Sequence, residues 1–157
     1  MEEFIIEGGV PLSGEITPSG NKNAALPLLA ACLLTDEPIV LRNIPQIRDV
    51  LAMRKLIESL GSVVEELDSH AWRITTRELI ASHLDPELCR KIRASILIAG
   101  PVLARSGGLK LPPPGGDVIG RRRLDTHILA LRALGAKIDY NRVFDISAAK
   151  LHGADIL

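Results

Sequence analysis

Apolar positions along this chain change period from two to about 3.6 and back again, and they do so twice. Phe4-Ile5-Ile6-Glu7-Gly8-Gly9-Val10 reads as a short strand closed by glycines, and Leu12-Ser13-Gly14-Glu15-Ile16-Thr17 as a second extended piece. The turn Ser19-Gly20-Asn21-Lys22-Asn23-Ala24-Ala25 then runs into the apolar helix Leu26 to Leu34. Pro27 costs that helix little in or just after its first turn and bends it if deeper. Pro38 to Ile44 is a strand between prolines. From Asp49 to Leu60, Val50, Met53, Leu56, Ile57 and Leu60 fall at helical spacing, with Gly61 as the terminator. Ser62 to Leu67 and Ala71 to Thr75 predict a hairpin turning at Asp68-Ser69.

The same order recurs. Glu87 to Ala104 predicts a helical segment interrupted at Gly100-Pro101, Leu109-Lys110-Leu111 a strand, and Leu124 to Leu134 a helix closed by Gly135. Lys137 to Tyr140 with Val143 to Ile146 predict a second hairpin. Leu60-Gly61 answers to Leu134-Gly135, and Lys22-Asn23-Ala24 to Arg93-Ala94-Ser95. Two copies of a helix-strand-helix-hairpin unit, each too small to bury both faces of its helices, point to an α/β (α+β) domain made by packing such units together. The first helix of each copy, rich in Ala, Leu and Ile, is expected at its buried centre. The recurrence sets the expected units over 22–86 and 87–152. Gly153 to Leu157 has the look of a loop leading into another element.

Composition narrows the function classes. With 157 residues and 46% hydrophobic content the chain can build a real core, and no apolar run reaches the roughly 18 residues of a membrane span. The acidic Met1-Glu2-Glu3-Phe4 lacks the basic region of a signal peptide, so the expectation is a soluble cytoplasmic protein with no membrane partner. Basic and acidic residues balance at 19 each and aromatics make up 3%, which argues against nucleic acid as a partner. Cys32 and Cys89 have neither metal-ligand spacing nor a disulfide framework and read as buried thiols.

The chemistry concentrates at Ser19 to Leu26. Ser19 or Asn21 can cap the helix, Gly20 turns the backbone, and the free N–H groups of the first turn with Lys22 form an anion site. The same pattern also fits a capped helix carrying a solvated lysine. Read with its surroundings, Thr17-Pro18-Ser19-Gly20-Asn21-Lys22-Asn23-Ala24-Ala25-Leu26-Pro27 resembles the opening of the UDP-N-acetylglucosamine enolpyruvyl transferase family. Two further stretches, Lys91-Ile92-Arg93-Ala94-Ser95 and Pro114-Gly115-Gly116-Asp117-Val118-Ile119-Gly120-Arg121-Arg122-Arg123-Leu124-Asp125-Thr126-His127, carry the resemblance over nearly the whole chain. The relative that makes 5-enolpyruvylshikimate 3-phosphate shares the fold but differs at the opening lysine motif.

The resemblance implies an inside-out α/β barrel fold in which residues 1–21 supply a strand to a second domain and residues 22–157 hold two units of a three-unit catalytic domain with the start of the third, within a family chain more than twice this length. It implies transfer of the enolpyruvyl group of phosphoenolpyruvate to the 3-hydroxyl of UDP-N-acetylglucosamine, with release of phosphate, and no cofactor or metal. Such a step needs fixed positive charge around a phosphate and a carboxylate, and an acid near C3. By resemblance, Lys22 and Asn23 bind phosphoenolpyruvate. Arg93, Arg122, Arg123, Leu124, Asp125 and Thr126 contact the UDP-sugar, where a guanidinium fork suits a diphosphate. For Arg121 to Arg123 a solvated basic loop is the plain alternative.

Two departures from the family pattern stand out. Asp117 occupies a position where most members carry cysteine. It can serve as the acid only if its pKa is raised, which two anionic substrates in a closed site favour and Arg121 to Arg123 oppose. The same replacement removes the soft nucleophile that fosfomycin alkylates, which implies insensitivity to that drug. The second is Arg123, where proline is usual. By the same resemblance this chain is expected to be incomplete for catalysis by itself, because the base for the sugar hydroxyl and further phosphoenolpyruvate ligands lie in the part of the family chain that it does not span. A non-catalytic UDP-sugar-binding or regulatory module is the competing reading. In either case apolar faces awaiting a third unit make self-association an expectation.

Overall fold

A computed structural model describes residues 3–9, 11–80, 83–116 and 123–156. The turn at Asn21 starts the first helix, α1 (Lys22–Ala31): Asn21 is extended, and its side-chain oxygen accepts from the N–H of Asn23 at 2.7 Å and of Ala24 at 3.3 Å. Pro27 lies in the second turn and cannot donate to the Asn23 carbonyl, yet the helix runs on through it and a 3₁₀ turn, Cys32–Leu34. Then come β1 (Ile39–Leu41), α2 (Arg48–Ser59), β2 (Val63–Asp68) and β3 (Ala71–Thr75). The second half follows with α3 (Pro86–Lys91), a 3₁₀ helix Arg93–Ile98, α4 (Ala99–Ser106), β4 (Gly108–Leu111), α5 (Asp125–Ala133), β5 (Lys137–Tyr140) and β6 (Phe144–Ser147).

The repeat read from the sequence is present in the topology. Each half carries a three-stranded antiparallel sheet whose middle strand is the second arm of its hairpin, in the orders β1-β3-β2 and β4-β6-β5. Equivalent registers, Val64 opposite Ile74 and Ile138 opposite Ile146, place apolar pairs on the covered face. Gly61 and Gly135, with φ of 106° and 100°, end α2 and α5 in the left-handed conformation that a side chain would strain. The helices that open each half are its buried centre as expected, with Leu29, Leu33, Ile98 and Val102 inaccessible to solvent.

One continuous core joins the halves: α1 packs on α2 and on the 3₁₀ helix Arg93–Ile98, and α4 packs on the 3₁₀ turn after α1. Arg105 of α4 fastens this seam. Its Nη1 donates to the carbonyls of Leu33, Thr35 and Thr76 at 2.9 to 3.1 Å, and its Nη2 to that of Arg77 at 2.9 Å. Trp72 is buried in the first sheet with the guanidinium of Arg54 5.0 Å from its ring centroid. Glu66 and Glu58 hold that guanidinium charged, raising its pKa further.

Several expectations need correction. The helical run beginning near Glu87 breaks not at Gly100-Pro101 but at Ile92, which is extended at φ −136°. Pro101 lies in the first turn of α4, where its missing N–H costs nothing. The first hairpin turns at Ser69-His70, one residue later than expected. No strand forms over 3–9 or 11–21, because these extended residues meet no partner edge: Phe4, Ile5, Ile6, Leu12 and Ile16 are between 86% and 99% exposed. A difference between the halves that no expectation addressed is that α5 buries no side chain, whereas its counterpart α2 buries five. The difference follows from neighbours, since α2 is covered by α3 and the 3₁₀ helix of the next half. Among the described residues no helix is long and apolar enough to cross a membrane.

Candidate functional site

Between the two halves lies a cleft of about 370 Å³, and the start of α1 meets the start of the 3₁₀ helix there. Lys22 and Asn23 line it from the first half, Lys91 and Arg93 from the second, and Leu26, Ile96 and Leu97 form its apolar floor. Lys22 and Arg93 occupy equivalent places in the repeat, each the first residue of the helix at the centre of its half. Packing the repeats therefore turns a one-dimensional correspondence into two cations facing one hollow. Among the described residues lining it, the cations Lys22, Lys91 and Arg93 stand against one carboxylate, Asp49, which favours an anionic ligand, and the positive end of α1 adds to that field.

The glycine pair after β4 fixes the loop beside this cleft. Gly115 N–H donates to the Cys89 carbonyl and Gly116 N–H to that of Arg90, both at 2.9 Å. A Cβ on Gly115 would stand 1.9 Å from the Arg90 oxygen, so only glycine permits this approach. Gly116 itself lines the cleft. At the far end of the loop, Arg93 Nη2 donates to the Arg123 carbonyl, and the Arg123 side chain pairs with Asp125. Burial pushes the thiols of Cys32 and Cys89 up to about 11, so neither is a nucleophile at neutral pH.

Of the residues singled out in the sequence, Lys22, Asn23 and Arg93 come together in the cleft. Leu124 is half-buried against the core just before α5, Thr126 is exposed on its first turn, and Asp125 lines a separate hollow with Ile128, Leu129, Arg132 and Tyr140. Asp117, Arg121 and Arg122 lie outside the described residues. Asp49, Lys91 and His127 also line the cleft, although the sequence reading assigned them no role. Lys91 opens one of the stretches that carry the resemblance and His127 closes the other, a signal that could have found them. Asp49 carried none beyond being an acidic residue in a helix's first turn. Among the described residues no group of three His, Cys, Asp or Glu side chains could hold a metal ion.

Comparisons with known proteins identify the fold and the family. The family model described as EPSP synthase (3-phosphoshikimate 1-carboxyvinyltransferase) matches residues 6–156. Two solved structures share the fold. One is the enolpyruvyl transferase NikO from Streptomyces tendae, with TM-score 0.73 and 20% identity over 92% of this chain and 32% of that one. The other is EPSP synthase from Acinetobacter baumannii, with TM-score 0.65 and 16% identity over 89% of this chain and 33% of that one.

This chain belongs to the EPSP synthase family and has the enolpyruvyl transferase fold. Within that family its sequence is similar to proteins named UDP-N-acetylglucosamine 1-carboxyvinyltransferase. The one from Bradyrhizobium diazoefficiens is 55% identical over 154 residues, 98% of this chain and 36% of the relative. The one from Treponema denticola is 53% identical over 156 residues, 99% of this chain and 37% of the relative. The chain thus spans little more than a third of the length of these relatives.

Proposed function

We propose that this chain supplies the Lys22 and Arg93 walls of the active cleft of a cytoplasmic UDP-N-acetylglucosamine enolpyruvyl transferase. That enzyme carries out the first committed step of peptidoglycan synthesis. The observation that carries this reading is the meeting of Lys22, Asn23 and Arg93 in one cationic cleft, in a chain 55% identical to a protein of that name. Lys22 acts as a point charge on the anionic groups of phosphoenolpyruvate, with Asn23 beside it. Arg93, with Arg122, Arg123, Leu124, Asp125 and Thr126, holds the UDP-sugar. The sugar 3-hydroxyl gives up its proton as it attacks C2 of phosphoenolpyruvate and C3 takes a proton; the tetrahedral intermediate then loses phosphate from C2 and a proton from C3, which restores the enol double bond. Asp117, next in sequence to the cleft residue Gly116, is the candidate acid at C3. Residues 1–21 would add a strand to a second domain, and the open side of α5 would be covered by further chain or by a second copy.

Titration of the purified chain with phosphoenolpyruvate and UDP-N-acetylglucosamine tests the reading, alongside phosphate release with both present and fosfomycin in a parallel series. Saturable binding that Lys22→Met and Arg93→Met each weaken by at least about tenfold is expected, with no phosphate release by the chain alone and, once the remaining two-thirds of a relative is supplied, release that fosfomycin does not abolish with time. Binding indifferent to both substitutions would refute the assignment. Binding without phosphate release, even when the remaining two-thirds of a relative is supplied, would favour the non-catalytic module.

A further inference from the structure

Lys22 does not stand free at the rim of the cleft. Its Nζ donates to Oδ2 of Asp49 at 2.9 Å, linking the first residue of α1 to the first turn of α2. The two helices pack against each other, so both helix starts open onto the same hollow. Asp49 is the better anchored partner. The residue before α2 is Ile47, whose side chain cannot cap, and Asp49 is the acidic residue of that uncapped first turn, held by the positive end of its own helix. Lys22 hangs on a flexible four-carbon stem, with about half its side chain in solvent.

By charge alone, a carboxylate in a cleft built for anions weakens ligand binding. We propose that Asp49 is a positioning residue that fixes the Lys22 ammonium over the cleft, so that an anionic ligand meets a charge already in place. An ammonium has three N–H donors, and one given to Asp49 leaves two for a phosphate or carboxylate. The rotamer freedom of the lysine is then given up on folding and not on binding, which strengthens binding by preorganisation. Across the cleft Arg93 is tied in the same manner by the Arg123 carbonyl, so cations from both halves are held before a ligand arrives. This role rests on the anionic-substrate reading of the cleft.

The two effects of Asp49 have opposite signs, which makes the proposal testable on the full chain. If Asp49 were only a neighbouring charge, removing it would tighten binding of phosphoenolpyruvate. If it positions Lys22, Asp49→Ala weakens that binding by about tenfold, and Asp49→Glu, which keeps the charge, recovers part of the loss. Thermal unfolding of the variants should match the wild type closely, since a half-exposed ion pair adds little stability. A ligand-free readout accompanies the titration: the Lys22 ammonium resonance in ¹⁵N-lysine-labelled chain, assigned with Lys22→Arg. It should stand apart from the exposed lysines in the wild type and join them in Asp49→Ala. Unchanged or tighter binding by Asp49→Ala, or a Lys22 resonance that Asp49→Ala leaves in place, overturns the proposal. A wild-type chain with the displaced resonance but no affinity for phosphoenolpyruvate supports the positioning of Lys22 and refutes the substrate assignment instead.

Discussion

Arg105 offers a direct test of how the two halves are held in register. From α4 in the second half its guanidinium reaches the carbonyls of Leu33 and Thr35 after α1, and those of Thr76 and Arg77 after β3. Nη1 has two N–H groups for three carbonyls, so one is shared, and the side chain is half-buried, so some of these carbonyls can regain water. Hydrogen bonds to a charged group contribute about 1.5–3 kcal/mol each when fully formed. Discounting for the shared donor and for rehydration, the equivalent of about two bonds remains, a loss of about 3 kcal/mol for Arg105→Met, which keeps most of the stem. At about 2–4 °C per kcal/mol for a chain of this size, Tm should fall by about 6–12 °C. Arg105→Lys retains the charge but cannot fork, and should lose about half as much. Urea and thermal unfolding followed by the fluorescence of Trp72, the chain's one tryptophan, measure both. Because Lys22 and Asn23, assigned to phosphoenolpyruvate, and Arg93, assigned to the UDP-sugar, belong to opposite halves, affinity for the two substrates together should drop with stability. A loss below about 1 kcal/mol for Arg105→Met, or a lysine variant as stable as the wild type, would refute the reasoning.

Gly20→Ala should leave the fold standing but damage the site. Its Cβ would lie 1.8 Å from the Asn43 carbonyl oxygen and 2.9 Å from Pro45 Cδ, forcing the backbone that carries the Asn21 cap and Lys22 to move. A fall in phosphoenolpyruvate affinity of about tenfold or more is expected in a titration, with about 1 kcal/mol of stability lost through the cap; wild-type affinity would contradict it. The two cysteines should react with a thiol reagent at pH 8 far more slowly in the native chain than in urea. Burial raises both thiols from 9.0 to about 11, so the folded state binds their protons more tightly than the unfolded state does. Their contribution is fully present below pH 9 and lost as pH rises toward about 11. Unfolding midpoints measured across that window should therefore fall, and a double serine variant should fall less.

The sequence alone was enough for everything that depends on neighbours along the chain. The switch of period marked the helices and hairpins, Gly61 and Gly135 marked equivalent helix ends, and their recurrence established a repeat that the two sheet orders reproduce. Asn21, Lys22 and Asn23 were legible as a capped, charged helix start because capping is a local bond between residues two and three apart. Three-dimensional packing decided the rest. Extended, apolar residues 3–9 and 11–21 look like strands, but a strand exists only when a second edge completes its hydrogen bonds, and none meets them among the described residues. The break at Ile92 in place of Gly100-Pro101 reflects tertiary placement of Arg93 at the cleft, since no local breaker stands at Ile92. Amphipathic α5 resembles α2 in sequence, yet only α2 has the next repeat lying on it. Asp49 and Arg105 had no signal at all: one acts across 27 positions and the other across as many as 72, and no spacing rule spans such distances. Local patterns determine which elements form and where they end. Which cations share a cleft, and which groups hold them there, depends on how distant segments pack, because Coulomb and hydrogen-bond energies fall with separation in space and not along the chain.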